Sequence, residues 1–333
     1  MNKVSVIIPV YNLESKIEQS LHSIIGQTFS DMEIVIVDDA SDDNSLAEAL
    51  GILRDSGKLY KIIKHEKNLG VSTSRNDGLR VSEGEYVVFV DGDDMLEKDF
   101  VSVLYAALDS SHGDYAACGY QVLESRTGAR ENHFLDVDGN LGCHDILAGR
   151  ILNKIEISHC ATLYRRDFLV KNNLLYTDGC IAGEDIEFLI KMLCHSPRGV
   201  FIRDCMYIYV QHSGMGSRKG VTAKAGKLQR YEHHTEAHFR EAEYIMEHTQ
   251  DKTLAVLAEN MILPLAHLRR LSICAMKNDK KGFANLLQSQ ETRNILAHSY
   301  KSILYKPEVF LRSLIALLAP SLYYKKYSHY LDR

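Results

Sequence analysis

The stretch VVFVDGDD at residues 87–94 places three aspartates around one glycine, directly after an apolar run. A run of β-branched and aromatic residues favours a buried parallel strand, which puts Asp91, Asp93 and Asp94 at the carboxyl end of that strand. Carboxylates this close repel one another unless a cation lies between them, and Mg²⁺ or Mn²⁺ holding a diphosphate is a suitable partner. The alternative is a polar turn in which Asp94 caps a helix over 95–108.

Three more polar loops follow predicted strands at 4–10, 33–37 and 59–64. The first carries Pro9, Tyr11 and Asn12, and the second is the run VDDASDD at 37–43. The third, NLGVSTSRNDG at 68–78, enters a helix, where Gly70 allows close backbone approach and Arg75 reaches a phosphate or a carboxylate. Ligands bind at the carboxyl ends of parallel strands, so these loops predict a nucleotide site, although helix-capping loops explain the first two equally well.

The elements that position these loops alternate strand and helix over the first hundred residues, which predicts an open α/β sheet. A strand at 115–123 and helices at 145–153 and 185–194 are expected next. After residue 220 the pattern is helical, so we expect a catalytic domain over 1–220 and a helical region over 221–333. We interpret the histidines at 233, 234 and 238 as part of a solvated helix surface.

Composition limits the function classes. The chain has 333 residues, 45% of them hydrophobic, and a net charge of −5, which argues against nucleic acid as a partner. Seven cysteines without a CxxC pair indicate buried, reduced thiols in a cytoplasmic protein. The first ten residues resemble a strand rather than a signal peptide, and the apolar run at 314–319 is too short to span a bilayer.

The motifs SVIIPVYN, EIVIVDDASDDNS, NLGVSTSRNDG and YVVFVDGDD occur in the order typical of family 2 glycosyltransferases, which the chain resembles over roughly residues 3–215. The resemblance implies a GT-A fold, a Rossmann-like, mostly parallel sheet flanked by helices, followed by a C-terminal helical extension. It implies a UDP-sugar donor, with Asp93 as the ligand of Mn²⁺ or Mg²⁺. The residues implied to bind the nucleotide or donor are Pro9, Tyr11, Asn12, Asp39, Asn68, Gly70, Arg75, Asp91 and Gly92.

Two later segments match the family less specifically. By resemblance, Asp185 in GEDIEF is the base that takes the acceptor hydroxyl proton, and Glu184 lies in the acceptor site. An acidic helix start is the alternative. The segment YVQHSGMGSRKG at 209–220 is similar to the family's mobile segment, in which His212, Ser217 and Arg218 contact the diphosphate and His212 can also bind the metal. A linker between domains is the alternative.

The last segment, 301–333, carries six Lys or Arg against two acidic residues, with interleaved tyrosines and leucines. This pattern predicts contact with the anionic inner face of the cytoplasmic membrane. The alternatives are that the segment packs on the catalytic domain or against the partner chain of a homodimer.

The predicted activity is inverting transfer of a hexosyl or N-acetylhexosaminyl group from a UDP-sugar to a glycan or lipid-linked acceptor. The acceptor would belong to a surface polysaccharide such as lipopolysaccharide, capsule or exopolysaccharide. The rivals are a sugar-phosphate nucleotidyltransferase and a non-catalytic nucleotide-sugar-binding protein. The loop after the first strand lacks the glycines and lysine that bind a nucleoside triphosphate, which weighs against the first rival.

Overall fold

The computed structural model describes residues 3–137, 142–196, 198–212, 223–303 and 305–330. The chain forms two compact units. The first consists of Met1–Cys143, Ile155–Cys180 and His195–Ser213, and the second of His144–Lys154, Ile181–Cys194 and Gly214–Arg333. The second unit therefore takes two segments from the region that the sequence assigned to the catalytic domain. The domain boundary at residue 220 stays a proposal.

The first unit is built on four parallel strands. In spatial order they are β3 (Leu59–Lys64), β2 (Met32–Asp38), β1 (Val4–Val10) and β4 (Tyr86–Phe89). β1 and β2 are buried along their whole length. The residues of these two strands are almost all apolar, because helices cover both faces of the sheet. Val10 pairs with Asp38 and Ile7 with Phe89, so the carboxyl ends of these strands lie side by side.

Antiparallel pairing extends the sheet. The further strands described are β5 (Met95–Leu96), β6 (Tyr115–Glu124), β7 (Arg130–His133), β8 (Thr162–Arg165) and β9 (Gly199–Gln211). β8 runs antiparallel to β4 and β6, and β9 runs parallel to β6 and antiparallel to β5. The pairing of β9 with β5 carries the end of β9 past the acidic loop that follows β4.

The helices of the first unit lie between these strands: α1 (Ile17–Ile25), α2 (Ser45–Asp55), α3 (Val71–Val81), α4 (Phe100–Ser111) and α6 (Arg166–Lys171). The predicted helix at 95–108 is wrong at its start. Met95 and Leu96 pair with Tyr207 and Ile208 of β9, and α4 begins only at Phe100. A pairing with a strand about 110 residues later overrides the local helical pattern.

The described part of the second unit is helical. Its α-helices are α5 (Cys143–Ile151), α7 (Glu184–His195), α8 (Ala223–His248), α9 (Lys252–Leu257), α10 (Leu263–Met276), α11 (Lys280–Gln288), α12 (Gln290–His298), α13 (Pro307–Leu318) and α14 (Pro320–Ser328). A π-helical turn, Ala258–Ile262, joins α9 to α10, and a 3₁₀ turn, Ser299–Ser302, follows α12. Leu268, Val309 and Tyr323 help to form an apolar core here. Within the described residues, no helix is both long enough and apolar enough to cross a bilayer.

The interpretation of the α8 histidines as a solvated surface is wrong for two of them. His238 is 8% exposed, and its ring nitrogen Nδ1 lies 3.1 Å from Oε2 of Glu241. Burial, together with the neighbouring His238, lowers the pKa of His234 to about 4. One reason is that this part of α8 lies against Gly183, just before α7: a Cβ at Gly183 would be 3.1 Å from Nδ1 of His234.

Candidate active site

The loops after β1 and β2 are joined by side-chain hydrogen bonds. The backbone N–H of Asn12 donates to Oγ of Ser41 at 3.1 Å, and Oδ1 of Asn12 accepts from the N–H of Asp42 at 3.0 Å. Asn12 adopts a φ of 53°, a left-handed conformation that asparagine tolerates better than most residues. Tyr11 next to it is 39% exposed, whereas Pro9 is buried within β1. The structure thus brings the first two predicted loops together and leaves one aromatic ring open to a ligand.

Asp39 connects the second loop to the third. Its Oδ1 accepts from the N–H of Leu69 at 2.7 Å and its Oδ2 from the N–H of Gly70 at 2.8 Å. Nδ1 of His65 lies 2.8 Å from the same Oδ1, and its Nε2 lies 3.1 Å from Asp77. The side chain is 4% exposed, so in this structure Asp39 first of all positions the loop that contains the exposed Asn68. Its predicted contact with the nucleobase stays a prediction.

His65 escaped the sequence analysis. A single histidine after a strand carries no motif, and only its two carboxylate partners, 26 and 12 residues away, show what it does. Gly70, with a φ of 92°, begins α3 in a conformation that glycine adopts without strain.

Arg75 and Asp91 form the ion pair at the centre of the site. Nη2 of Arg75 donates to Oδ1 of Asp91 at 2.7 Å, and its guanidinium lies over the ring of Tyr176 at 5.1 Å. The arginine side chain is 3% exposed, whereas the aspartate side chain is 33% exposed. The guanidinium is therefore held in place from inside, and the carboxylate that it orients faces the solvent side.

The acidic loop holds its three carboxylates in different environments. Asp94 is buried, and it accepts from the Tyr207 hydroxyl at 2.5 Å and from the Val210 N–H at 2.8 Å. Asp93 is more accessible, with Nζ of Lys16 at 3.8 Å from its Oδ2. Burial raises the pKa of Asp93, and the adjacent Asp91 raises it further. Asp94 thus fixes the loop, and Asp93 is a carboxylate that a cation would stabilise.

His212 follows β9 and approaches this loop. Its electrostatic influence is one of those that lower the pKa of Asp93 against the effect of burial. Its Nε2 is buried and has no hydrogen-bond partner among the described residues. A carboxylate oxygen and an imidazole nitrogen form a donor set that suits Mn²⁺ and is compatible with Mg²⁺, so the residues present fit the predicted metal. Ser217 and Arg218 lie outside the described residues.

Gly92 keeps the acidic loop close to the first one. A Cβ at this position would lie 2.6 Å from Cδ1 of Leu13 and 3.1 Å from the carbonyl oxygen of Pro9. We expect Gly92→Ala to destabilise the protein by about 1–3 kcal/mol and to weaken UDP binding, because the loop must move outward. Urea unfolding and calorimetric titration with UDP measure the two effects.

The matched control is Gly51→Ala on α2. A Cβ there has no heavy atom within 4 Å, so alanine should stabilise the helix by about 0.5–1 kcal/mol. Equal destabilisation by both substitutions would contradict the packing argument for Gly92.

A second group of ligand-type side chains adjoins Asp91. Ligand atoms of Asp91, His159 and Cys160 all lie within 4.8 Å of one another. The pair of His159 and Cys160 was missed by sequence analysis, because it follows no metal-binding spacing and joins Asp91 only in the fold. Nδ1 of His159 also lies 3.0 Å from the Tyr176 hydroxyl, and burial raises the pKa of Cys160 well above its usual range. The group thus places two buried side chains, His159 and Cys160, next to the carboxylate that Arg75 binds.

Asp185 and Glu184 begin α7 and belong to the second unit. Oδ1 of Asp185 accepts from the N–H of Ile186 at 2.9 Å, and both side chains are half-buried. The third acid of this helix start, Glu187, is 1% exposed and pairs with Arg240 at 2.7 Å. Glu187 is therefore committed to the fold of the second unit. The catalytic role of Asp185 and the acceptor role of Glu184 stay predictions.

Solved structures confirm the predicted fold class. The chain superposes with a TM-score of 0.70 on TarS residues 1–349 of Staphylococcus aureus, crystallised in complex with UDP-GlcNAc. The two are 23% identical, and the match covers 99% of this chain and 92% of that one. The similarity therefore shows a GT-A type fold with C-terminal helices.

Sequence relatives point the same way. The chain is 30% identical over 226 residues to the uncharacterized glycosyltransferase YibD of Escherichia coli, covering 65% of this chain and 64% of the relative. It is 29% identical over 213 residues to the poly(ribitol-phosphate) beta-N-acetylglucosaminyltransferase TarP of Staphylococcus aureus, covering 63% of each. The chain spans about 60–64% of the length of the first curated relatives it matches.

The family match lies in the first half of the chain. A family model described as Glycosyl transferase family 2 matches residues 5–171, about half of the chain. The match contains the loops after β1, β2, β3 and β4, including the Arg75–Asp91 pair and Asp93. On this match, the chain belongs to glycosyl transferase family 2.

Proposed function

We propose that this protein is an inverting glycosyltransferase that moves a hexosyl or N-acetylhexosaminyl group from a UDP-sugar to a hydroxyl of a surface polysaccharide or of its lipid-linked precursor. The observation that carries the proposal is the acidic loop after β4, where Arg75 orients Asp91 and Asp93 lies within the electrostatic influence of His212. The printed names of TarS with UDP-GlcNAc and of TarP support a UDP-sugar donor and a cell-surface acceptor.

Residues of the first unit bind the UDP-sugar donor. The exposed ring of Tyr11 offers a stacking surface for the uracil, and the loop that Asp39 fixes supplies neighbouring polar groups. Asp93 and His212 would hold Mn²⁺ or Mg²⁺, which neutralises negative charge on the diphosphate as it leaves. The buried guanidinium of Arg75 adds a fixed positive charge near Asp91, so charge stabilisation does not depend on solvent reorganisation.

Asp185 activates the acceptor hydroxyl. Its carboxylate takes the proton from the acceptor hydroxyl while that oxygen bonds to the anomeric carbon, and the bond from that carbon to the diphosphate breaks on the opposite face. One base suffices for this single displacement, because no water has to be activated in a second step. Inversion of the anomeric configuration follows.

The first test uses purified protein and a panel of UDP-sugars. We expect one UDP-sugar with Mn²⁺ to raise the melting temperature by several degrees, and UDP release to accompany transfer to an acceptor glycan. Pyrophosphate release from UTP and a sugar phosphate would instead favour the nucleotidyltransferase. Binding of a UDP-sugar without transfer to any acceptor or to water would favour the binding protein.

We also propose peripheral attachment to the inner face of an anionic membrane through α13 and α14. Leu311, Leu314 and Leu318 share one face of α13 and are 55%, 38% and 76% exposed, while Val309 and Ala316 on the other face are buried. Leu322 and the exposed Lys325 and Lys326 continue this surface onto α14. Apolar side chains beside lysines are typical of helices that lie in the headgroup region.

We expect the Leu314→Ser, Leu318→Ser double variant to bind phosphatidylglycerol vesicles at least about tenfold more weakly than the wild type, since it removes two side chains that each gain roughly 1.5–3 kcal/mol on full burial. Co-sedimentation measures this. The control is Leu59→Ser, which removes a 64% exposed leucine from β3. Unchanged vesicle binding together with loss of a dimer in ultracentrifugation would assign the surface to a second copy of the chain.

A further inference from the structure

Four cationic side chains of the second unit come from separate helical segments and influence one another electrostatically: Arg150 and Arg269 act on Lys306, and Arg312 acts on Arg269. Arg150 belongs to α5, Arg269 to α10 and Arg312 to α13, and Lys306 directly precedes α13. All four are half-buried, and within the described residues none has a carboxylate within ion-pair distance. Arg240, another partly buried arginine of this unit, does form an ion pair, with Glu187.

Tyrosine rings hold two of these guanidinium groups in place. Arg269 lies over the ring of Tyr231 at 5.3 Å, and Arg312 lies over the ring of Tyr327 at 5.7 Å. The ring of Tyr330 is 6.2 Å from Tyr231 and 6.1 Å from Tyr327, so it links the two pairs. Cation–π contacts orient a guanidinium but do not neutralise its charge.

Donor atoms in this cluster are left unused. Nε of Arg150 and Nε of Arg312 are both buried without a hydrogen-bond partner among the described residues. An unsatisfied buried donor on a charged group is costly, and proteins rarely keep one without a ligand or water to bond it. An acceptor bound at the cluster would satisfy these two atoms.

Two carboxylates, Glu241 and Glu308, act on this cluster electrostatically. Glu241 is 2% exposed, with its Oε2 3.1 Å from His238 and its Oε1 without a hydrogen-bond partner among the described residues, while Glu308 is exposed at the start of α13. Burial is the main cause that lowers the pKa of Lys306; Arg150 and Arg269 add to this shift, and Glu308 and Glu241 oppose it. The pKa of Lys306 stays lowered despite both carboxylates, so its charged form would gain from a bound anion.

We propose that Arg150, Arg269, Lys306 and Arg312 form a binding site for a phosphoryl group, and that this group belongs to the acceptor substrate. The second part rests on the proposed function. Several cations from different directions match the tetrahedral oxygens and the charge of a phosphate better than they match a planar carboxylate, which one bidentate arginine satisfies. The acceptor class that follows is a phosphate-bearing glycan or a sugar linked to a lipid phosphate.

The experiment titrates the full chain with inorganic phosphate at constant ionic strength and follows the melting temperature, with sodium acetate as the reference anion. We expect phosphate at ten times its Kd to raise the midpoint by about 3 °C and acetate to have no comparable effect. Lys306→Gln and Arg312→Gln should each weaken the phosphate affinity at least about tenfold. The matched controls, Lys280→Gln and Arg293→Gln, remove exposed cations of α11 and α12 and should change it less than twofold.

Three results would overturn the site: no stabilisation by phosphate, equal losses in the control variants, or a response to phosphatidylglycerol vesicles without any response to soluble phosphate. If Arg312→Gln does not fold, Lys306→Gln decides, because Lys306 lies outside the helix body. Affinity for UDP, measured on the same proteins, reports separately on the first unit. If the wild type does not bind UDP, the proposed function is contradicted. If it binds UDP but not phosphate, only this site is contradicted.

Discussion

Replacing Asp185 by asparagine should lower the rate of sugar transfer by about 10³-fold while UDP-sugar affinity stays within about twofold of the wild type. A positioned base contributes roughly 10²–10⁴-fold to such reactions, and asparagine cannot accept the acceptor proton. The fold should tolerate the change, because the asparagine Oδ1 can still accept from the N–H of Ile186. Initial rates of UDP release and calorimetric titration with the donor measure the two quantities.

The matched control for this variant is Asp167→Asn. Asp167 is an exposed acid in the first turn of another helix, α6, so it shares the favourable interaction with a helix N-terminus but belongs to no proposed site. We expect its rate to be within about twofold of the wild type. Similar rates for the two variants would mean that Asp185 only stabilises α7, and the alternative left open by the sequence would then be correct.

The pH dependence gives a further criterion. A base that takes the acceptor proton makes kcat fall on the acid side as the carboxylate becomes protonated. The residual activity of Asp185→Asn should lack this acid limb. A residual rate that keeps the same acid limb would assign the base to another group.

The meeting of the strand-end loops could be predicted, because these loops follow strands whose local patterns are strong. β1, β2 and β4 are apolar runs, and parallel strands bring the loops that follow them to one edge, which is where Asn12 meets Asp42 and where Asp91 is found. That reasoning did not find His212, which is predicted only from the family resemblance. His212 directly follows β9, a strand that the sequence analysis did not predict.

The features that escaped prediction depend on partners far apart in the chain. The two-residue strand β5 exists because β9 pairs with it. Helix α7 belongs to the second unit, where its Glu187 pairs with Arg240, 53 residues away. The family resemblance predicts a nucleobase contact for Asp39, and the structure adds hydrogen bonds that its oxygens accept from Leu69 and Gly70, 30 and 31 residues away. Local periodicity contains no information on such pairs.

Replacing Asp93 by asparagine should abolish the effect of Mn²⁺ on donor binding and lower the transfer rate by about 10²–10³-fold. A neutral amide is a much weaker ligand for a hard divalent cation, and His212 alone does not hold one. The rate of the variant should match that of the wild type in excess EDTA. Donor affinity with and without Mn²⁺, measured by calorimetry, checks the first expectation.

A stability measurement separates a lost metal site from a lost fold. Burial and the adjacent Asp91 disfavour the charged form of Asp93, as the raised pKa of Asp93 indicates, so the amide should leave the metal-free melting temperature unchanged or higher. Asp42→Asn is the control, because Asp42 is an exposed carboxylate of the neighbouring loop with no proposed ligand. It should retain Mn²⁺-dependent stabilisation by UDP in full. If Asp93→Asn also retains it, the cation is held elsewhere, and the acidic loop acts on the donor through the Arg75–Asp91 pair alone.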